Sequence, residues 1–375
     1  MINPNCRNQF PITDKYCYLD HAGVGPVSLR VRDNILNFLN DSCELAGFGY
    51  DKWMEQVDAV RKTCAKLIAA SEDEIAFVKS TSHGISLVAS GLEWKKGDNI
   101  LIYKKEFPSN IYPWLNLEKK GVETKFISGT NGEINLSEIE NLSDSNTRLI
   151  SISSVQYTNG FRSDLKAIGE FCNNNGIYFM VDAIQSLGVI PMNVKEYKID
   201  FLSADGHKWI MAPEGTGIFY CSKKNTDDLQ PSLLGWKSIV NDTDYGTIDF
   251  NLKKNALKFE EGSLNVMGII ALGEAVEYLL ETGISDINKR VHLLGDYIIK
   301  KISEREFTLN TPSEKNKRAG IISFIGDFNP MLLRDKLEEL GVMVNFRGGG
   351  IRVSPHFYNN ESDIDRLFAE IDKLI

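Results

Sequence analysis

The sequence has no uninterrupted apolar run long enough to cross a membrane. Its first residues, MINPNCRNQFPITDKY, lack the apolar core of a secretory signal. It has no CxxC pair and no metal-ligand spacing; the six cysteines stand apart at 6, 17, 43, 64, 172 and 221. Scattered cysteines suit reduced thiols in a cytoplasm better than a disulfide framework, and a cytoplasmic protein is the expectation. Positive charge is not in excess either. The formal net charge is -9, which argues against nucleic acid or an anionic membrane as the main partner. Any anion must then be met by local donors. No internal repeat or low-complexity tract is visible. What remains is an ordinary globular composition, 42% hydrophobic and 25% charged over 375 residues. That is enough chain for one large domain and a smaller one.

Short apolar runs bounded by polar and glycine residues recur at 75–78, 99–103, 124–127, 148–153, 177–181, 199–204 and 218–221. They alternate with helical periodicity at 27–45, 53–70, 85–92 and 164–175. Seven such strands predict an α/β fold, a mostly parallel seven-stranded sheet with helices on both faces. Residues 1–16 read as an extended N-terminal arm, 17–260 as the large domain and 261–283 as a connecting helix. From 284 the texture changes to a small α+β C-terminal domain, 284–375, with helices at 284–302, 331–340 and 362–374.

Ligands of parallel sheets bind at the strands' carboxyl ends. The strand at 177–181 ends on Asp182, and the one at 199–204 is followed by Asp205-Gly206-His207-Lys208-Trp209. An acid and a lysine in one crevice suit a Schiff base with pyridoxal phosphate, the acid holding the pyridine nitrogen protonated. A solvated loop lysine and an N-capping acid fit the same spacing. The strand at 75–78 runs through Lys79-Ser80-Thr81-Ser82-His83-Gly84 into a helix, which makes an anion site of free N–H groups and helix dipole. Without a glycine-rich nucleotide loop it suits one phosphate, with Thr81 and Ser82 as donors; plain N-capping is the alternative.

VDAIQSLG (181–188), SADGHKW (203–209) and PEGTG (213–217) together resemble the pyridoxal-phosphate core of the class V aminotransferase family. That family contains cysteine desulfurases, isopenicillin N epimerase-like and kynureninase-like enzymes, and the resemblance implies a fold-type I architecture. It further implies Lys208 as the Schiff-base lysine and Asp182 as the pyridine partner. Gln185 would bond the ring's phenolic oxygen, and His207 and the Thr81-Ser82 turn would support the phosphate. Ser263 would reach the phosphate of the partner subunit in a homodimer with active sites at the interface. Arg352 would bind the substrate α-carboxylate, and His21, in Tyr18-Leu19-Asp20-His21-Ala22-Gly23, would contact substrate. Phe107 stands where desulfurases usually carry a ring-stacking, proton-moving histidine; a phenyl ring stacks but moves no proton. Tyr157 stands where they commonly carry asparagine, and a tyrosine can bond the same phenolic oxygen. Asp205 replaces a common phosphate-donating serine and is not assigned to the cofactor. Desulfurases also carry a persulfide cysteine on a loop just before the arginine, and no cysteine follows Cys221 here.

The expected function is therefore a pyridoxal-phosphate enzyme acting on the α-amine of an amino acid, aminotransferase or epimerase-like. A cysteine desulfurase, selenocysteine lyase or other C–S lyase is the alternative. A non-catalytic paralogue that keeps the fold for binding is the alternative of another class.

Overall fold

The computed structural model describes residues 2–130 and 132–375. Met1, the first residue of the expected arm, lies outside them. The rest of that arm is not extended. It folds into 3-10 turns at Cys6–Gln9 and Pro11–Asp14. Phe10 between them is fully buried, its ring stacked 3.9 Å from Tyr358. Arg7 forks onto Asp363 at 2.7 and 2.9 Å. An aromatic that can be buried and an arginine with an acid to meet pull the segment onto the C-terminal part. Strand β1 (Cys17–Tyr18) follows.

Helices α1 (Leu29–Leu45) and α2 (Tyr50–Leu67) lead into the central sheet. Its strands and intervening helices run in chain order: β2 (Ile75–Val78), α3 (Thr81–Gly91), β3 (Asn99–Tyr103), α4 (Tyr112–Leu115), β4 (Glu123–Ile127), α5 (Leu136–Leu142), β5 (Thr147–Ser153), α6 (Leu165–Asn175), β6 (Tyr178–Asp182), β7 (Phe201–Asp205) and β8 (Gly217–Cys221). The spatial order is β2-β8-β7-β6-β5-β3-β4. Only β8 runs against its neighbours. The other six are parallel, so the carboxyl ends of β2, β3, β5, β6 and β7 open on one edge. Every residue of β2, β3, β7 and β8 is buried, as strands covered on both faces require. Helix α3 lies close against β7 because residue 84 is glycine. A Cβ there would collide with the Ser203 side chain, and the close approach sets the amino end of α3 beside the carboxyl end of β7.

Helix α7 (Val266–Thr282) packs against α1 and α2 and is buried along most of its length. Its N-cap is Asn265, whose Oδ1 accepts from the Gly268 amide at 3.1 Å while its Nδ2 donates to Thr216 Oγ at 2.9 Å. Asn265→Ala is expected to cost about 1 kcal/mol, read as a lower thermal midpoint; an unchanged midpoint would show that the cap contributes nothing.

Helix α8 (Ile284–Ser303), strands β9 (Thr308–Leu309) and β10 (Ile322–Ile325), α9 (Pro330–Glu339), β11 (Val342–Met343), β12 (Asn345–Arg347), β13 (Gly350–Val353) and α10 (Glu361–Leu374) complete the chain. Here β12-β13-β10-β9 form an antiparallel four-stranded sheet. Its core joins Leu294, Ile298, Phe324, Ile351 and Phe368 with Cys17 and Leu19. Strand β1 pairs with β11 and Asp20 bridges to Ser354. The first residues of the expected large domain are thus packed into the C-terminal core, which brings Asp20 over the sheet edge. Among the described residues no helix is long and apolar enough to cross a membrane.

Candidate active site

Where the parallel strands end, a cleft of about 520 Å³ opens. Strand β6 delivers Asp182 at its last position, and the turn after β7 delivers His207 and Lys208. Asp182 is buried, with one carboxylate oxygen accepting from the Ile184 amide at 3.1 Å. Burial pushes its pKa up to about 6, opposed by that amide and by the Lys208 charge. Burial likewise brings the Lys208 amine down to about 8, with Asp182 pulling the other way. Desolvation wins for both groups. The amine is therefore a better nucleophile near neutral pH than a solvated lysine.

The phenyl ring of Phe107, reached by the turn after β3, lies with its centroid 5.6 Å from Lys208 Nζ. Tyr157, after β5, meets it edge-on at 5.3 Å between centroids. These two rings make one wall of the cleft. The cleft also takes in the amino end of α3, which starts at Thr81, four residues earlier than the apolar periodicity suggests. The cap is Ser80, whose Oγ accepts from the His83 amide at 3.2 Å. Thr81 and Ser82 are thus first-turn residues, where amides have no helical acceptor. The Thr81 hydroxyl accepts from the Asp205 amide at 3.0 Å, and its own proton stays available to donate. Ser82 Oγ donates to Ser109 Oγ at 2.7 Å.

Asp205, not assigned to the cofactor, faces His207. Its carboxylate lies 3.2 Å from His207 Nδ1 without hydrogen-bond alignment, and both atoms are buried and otherwise unpaired. The donor set fits pyridoxal phosphate: a buried acid, a buried amine, a flat aromatic wall and a helix amino end with hydroxyls converge on one cavity, and two buried polar atoms there lack partners.

Not every expected residue reaches the cleft. His21, expected to contact substrate, is fully buried and does not line the cleft. Its Nδ1 bonds the Ser354 carbonyl at 2.9 Å and its Nε2 the Tyr358 hydroxyl at 2.7 Å, so the ring clamps the N-terminal segment to the C-terminal part. Ser263 is exposed, lies off this chain's cleft and is not the cap of α7. Gln185 lines the cleft, but its oxygen accepts from Trp209 Nε1 at 2.8 Å and its amide donates to the Ala22 carbonyl at 3.1 Å. One N–H remains free for a ligand. Arg352 is buried, with Nη2 3.0 Å from Asp20 and Nη1 3.1 Å from the Tyr157 carbonyl.

Three residues were missed. Asp20 stands beside His21 in the stretch quoted for that residue, and Arg347 lies five residues before Arg352 with no pattern of its own. Glu106 stood beside Phe107. It is buried and accepts from the Ser153 amide at 2.8 Å, the Ser153 hydroxyl and Gln156 Nε2 at 3.0 Å. Burial raises its pKa to about 7. It braces the turn carrying Tyr157 from behind, and a lone acid next to an aromatic gives no sequence signal for that.

Known proteins match this architecture over its whole length. A cysteine desulfurase from Thermococcus onnurineus NA1, solved without ligand, superposes with a TM-score of 0.91 at 26% identity over 100% of this chain and 98% of its own. The cystine C–S lyase C-DES, solved with its reaction product cysteine persulfide, gives 0.91 at 21% identity over 97% and 99%, a likeness of fold. A probable cysteine desulfurase of Pyrococcus abyssi is 30% identical over 100% of this chain and 98% of its own. The aminotransferase class-V family model matches residues 17–367. With the motif-bearing strands and the cleft at their carboxyl ends both inside that match, the chain belongs to the class-V aminotransferase family.

Proposed function

We propose that this chain binds pyridoxal phosphate and acts on the α-amine of an amino acid, as an aminotransferase or epimerase-like enzyme. The observation that carries the reading is the pairing of buried Asp182 with buried Lys208 at the ends of adjacent strands. When bound, the cofactor supplies a conjugated sink for the electrons released at the substrate Cα. Asp182 would hold a positive charge at the pyridine nitrogen. Thr81 and Ser82 would donate to the phosphate with His207 beside them, and Ser263 would serve the partner subunit's phosphate across a homodimer. Phe107 would stack on one face of the ring, Tyr157 beside it would bond the ring's phenolic oxygen, and Gln185 would donate its free N–H. Arg352 would orient the substrate carboxylate. Lys208 would attach the cofactor and then take and return the proton at Cα.

A second reading, C–S lyase or cysteine desulfurase, is favoured by the names of the relatives. Relay of sulfur through a protein thiol is disfavoured. None of the six cysteines lines the cleft, and all but Cys43 are buried. The chain between Asn345 and Arg352 is a hairpin closed by a two-residue turn, Gly348-Gly349, with no loop to carry a thiol.

The test is a panel of amino acids offered to the cofactor-loaded protein, with the visible spectrum followed and the products identified. An oxo acid or an inverted amino acid supports the first reading. Sulfide or persulfide released from cysteine, surviving replacement of all six cysteines, establishes a thiol-independent lyase instead. A protein with no cofactor band, unchanged by Lys208→Ala, would defeat both and leave a binding paralogue.

A further inference from the structure

Strands β12 and β13 pair in antiparallel register, with Asn345 opposite Arg352 and Arg347 opposite Gly350. Alternate residues of a strand share a face. Asn345, Arg347 and Arg352 therefore point to one side, and all three line the cleft. The register is pinned by the turn. Gly348 and Gly349 have φ of +58° and +83°, the left-handed pair of a tight two-residue hairpin. A slip of one residue would turn Arg347 to the other face.

These side chains form one network. Arg347 Nη1 donates to Asn345 Oδ1 at 2.8 Å and to the Phe346 carbonyl at 2.8 Å. Asn345 Nδ2 donates to one Asp20 oxygen at 2.8 Å, and Arg352 Nη2 donates to the other at 3.0 Å. Two guanidinium groups are thus spaced by an amide and share a single carboxylate. That carboxylate is on Arg352. Among the described residues no acid lies within ion-pair distance of Arg347, and its Nε and Nη2 make no hydrogen bond. The remaining acids of the cleft are committed elsewhere or distant: Asp182 faces Lys208, Asp205 lies against His207, and Glu214 is on the exposed turn before β8. Arg352 is buried and held by Asp20 and the Tyr157 carbonyl, so with the α-carboxylate assigned to Arg352 it is Arg347 that keeps free donors for a further acid. A planar fork with unused donors is the group proteins use to hold a carboxylate.

We propose that Arg347 is a second anion-binding residue of this cleft, and that the substrate is an amino acid with a second acid group at the end of its side chain. The proposal rests on the amino-acid reading above and narrows it.

The test measures dissociation constants of L-aspartate and L-glutamate, against the equal-sized L-asparagine and L-glutamine, by perturbation of cofactor absorption in the loaded protein. The better acid is expected to bind at least tenfold more tightly than its amide. Arg347→Met is expected to cut that preference by roughly 10- to 100-fold, and Arg347→Lys to keep part of it. Equal binding of acid and amide by the unaltered protein overturns the proposal alone. So does an Arg347→Met protein that keeps the full preference. A bound cofactor that responds to no amino acid overturns the amino-acid reading and this proposal together.

Discussion

Lys208→Ala is expected to abolish covalent attachment of pyridoxal phosphate and to lower turnover by roughly a hundred- to ten-thousand-fold. The same residue has to serve twice, first as the amine that holds the cofactor and then as the base at Cα, so no neighbour can replace it. Arg347 and Arg352 are the other strong bases lining the cleft, and guanidinium groups do not deprotonate. Attachment should also carry the signature of the Lys208 pKa. Burial lowers it to about 8, with Asp182 opposing. Only the neutral amine attacks, so in cofactor-free protein the attachment rate should rise about tenfold per pH unit up to about 8 and then level off. Replacing Asp182 by Asn removes the anion that favours the charged amine, so the inflection should move to lower pH. Reductive trapping at a series of pH values, followed by mass spectrometry of the labelled peptide, reads both results. A label on another lysine, or a rate that is flat across neutral pH, would defeat this assignment.

The pair at the centre of that prediction was legible because two short apolar runs end on the residues concerned. Asp182 closes β6 and Lys208 follows β7 by three residues, and parallel strands bring such ends together whatever the loops do. The strands themselves were legible for the same reason, since full burial on both faces demands continuous apolar runs. Direction was not. Nothing in Gly217–Cys221 says that β8 runs against its neighbours, because a strand buried on both faces reads alike in either direction. Helix α3 begins at Thr81 rather than 85 because its first turn is polar and is held by the Ser80 cap, which apolar periodicity does not register. His21 and Gln185 show a different limit. Both are polar residues in motif-bearing stretches, yet His21 is spent holding two parts of the chain together and most of Gln185's donors and acceptors on Trp209 and Ala22. Asp20, Asn345, Arg347 and Arg352 come from segments more than 300 residues apart, joined only once β1 pairs with β11 and the hairpin sets its register. A network that depends on long-range pairing leaves no local pattern to read.

Asp182→Asn should separate stability from cofactor binding, because the two ask opposite things of that carboxylate. In the cofactor-free protein, burial raises the Asp182 pKa to about 6. Ionising it inside the fold is therefore costlier than in the unfolded chain. The penalty is absent below the ordinary carboxylate pKa and is complete once the pH passes about 6, where it amounts to the order of 2–3 kcal/mol. Asparagine keeps an oxygen for the Ile184 amide and carries no charge. Cofactor-free Asp182→Asn should thus match the unaltered protein in thermal midpoint near pH 4 and exceed it at pH 8. With cofactor the sign reverses. A cationic pyridine nitrogen would face a neutral amide, and breaking a buried charge pair costs about 3–5 kcal/mol. The cofactor's dissociation constant should therefore rise by roughly a hundred- to several-thousand-fold. Thermal scans of the empty protein at the two pH values and cofactor titrations of both proteins supply the four numbers. Lower stability of the empty variant at pH 8, or an unchanged cofactor affinity, would mean that Asp182 is a structural acid and that the positive charge of the cofactor is met elsewhere.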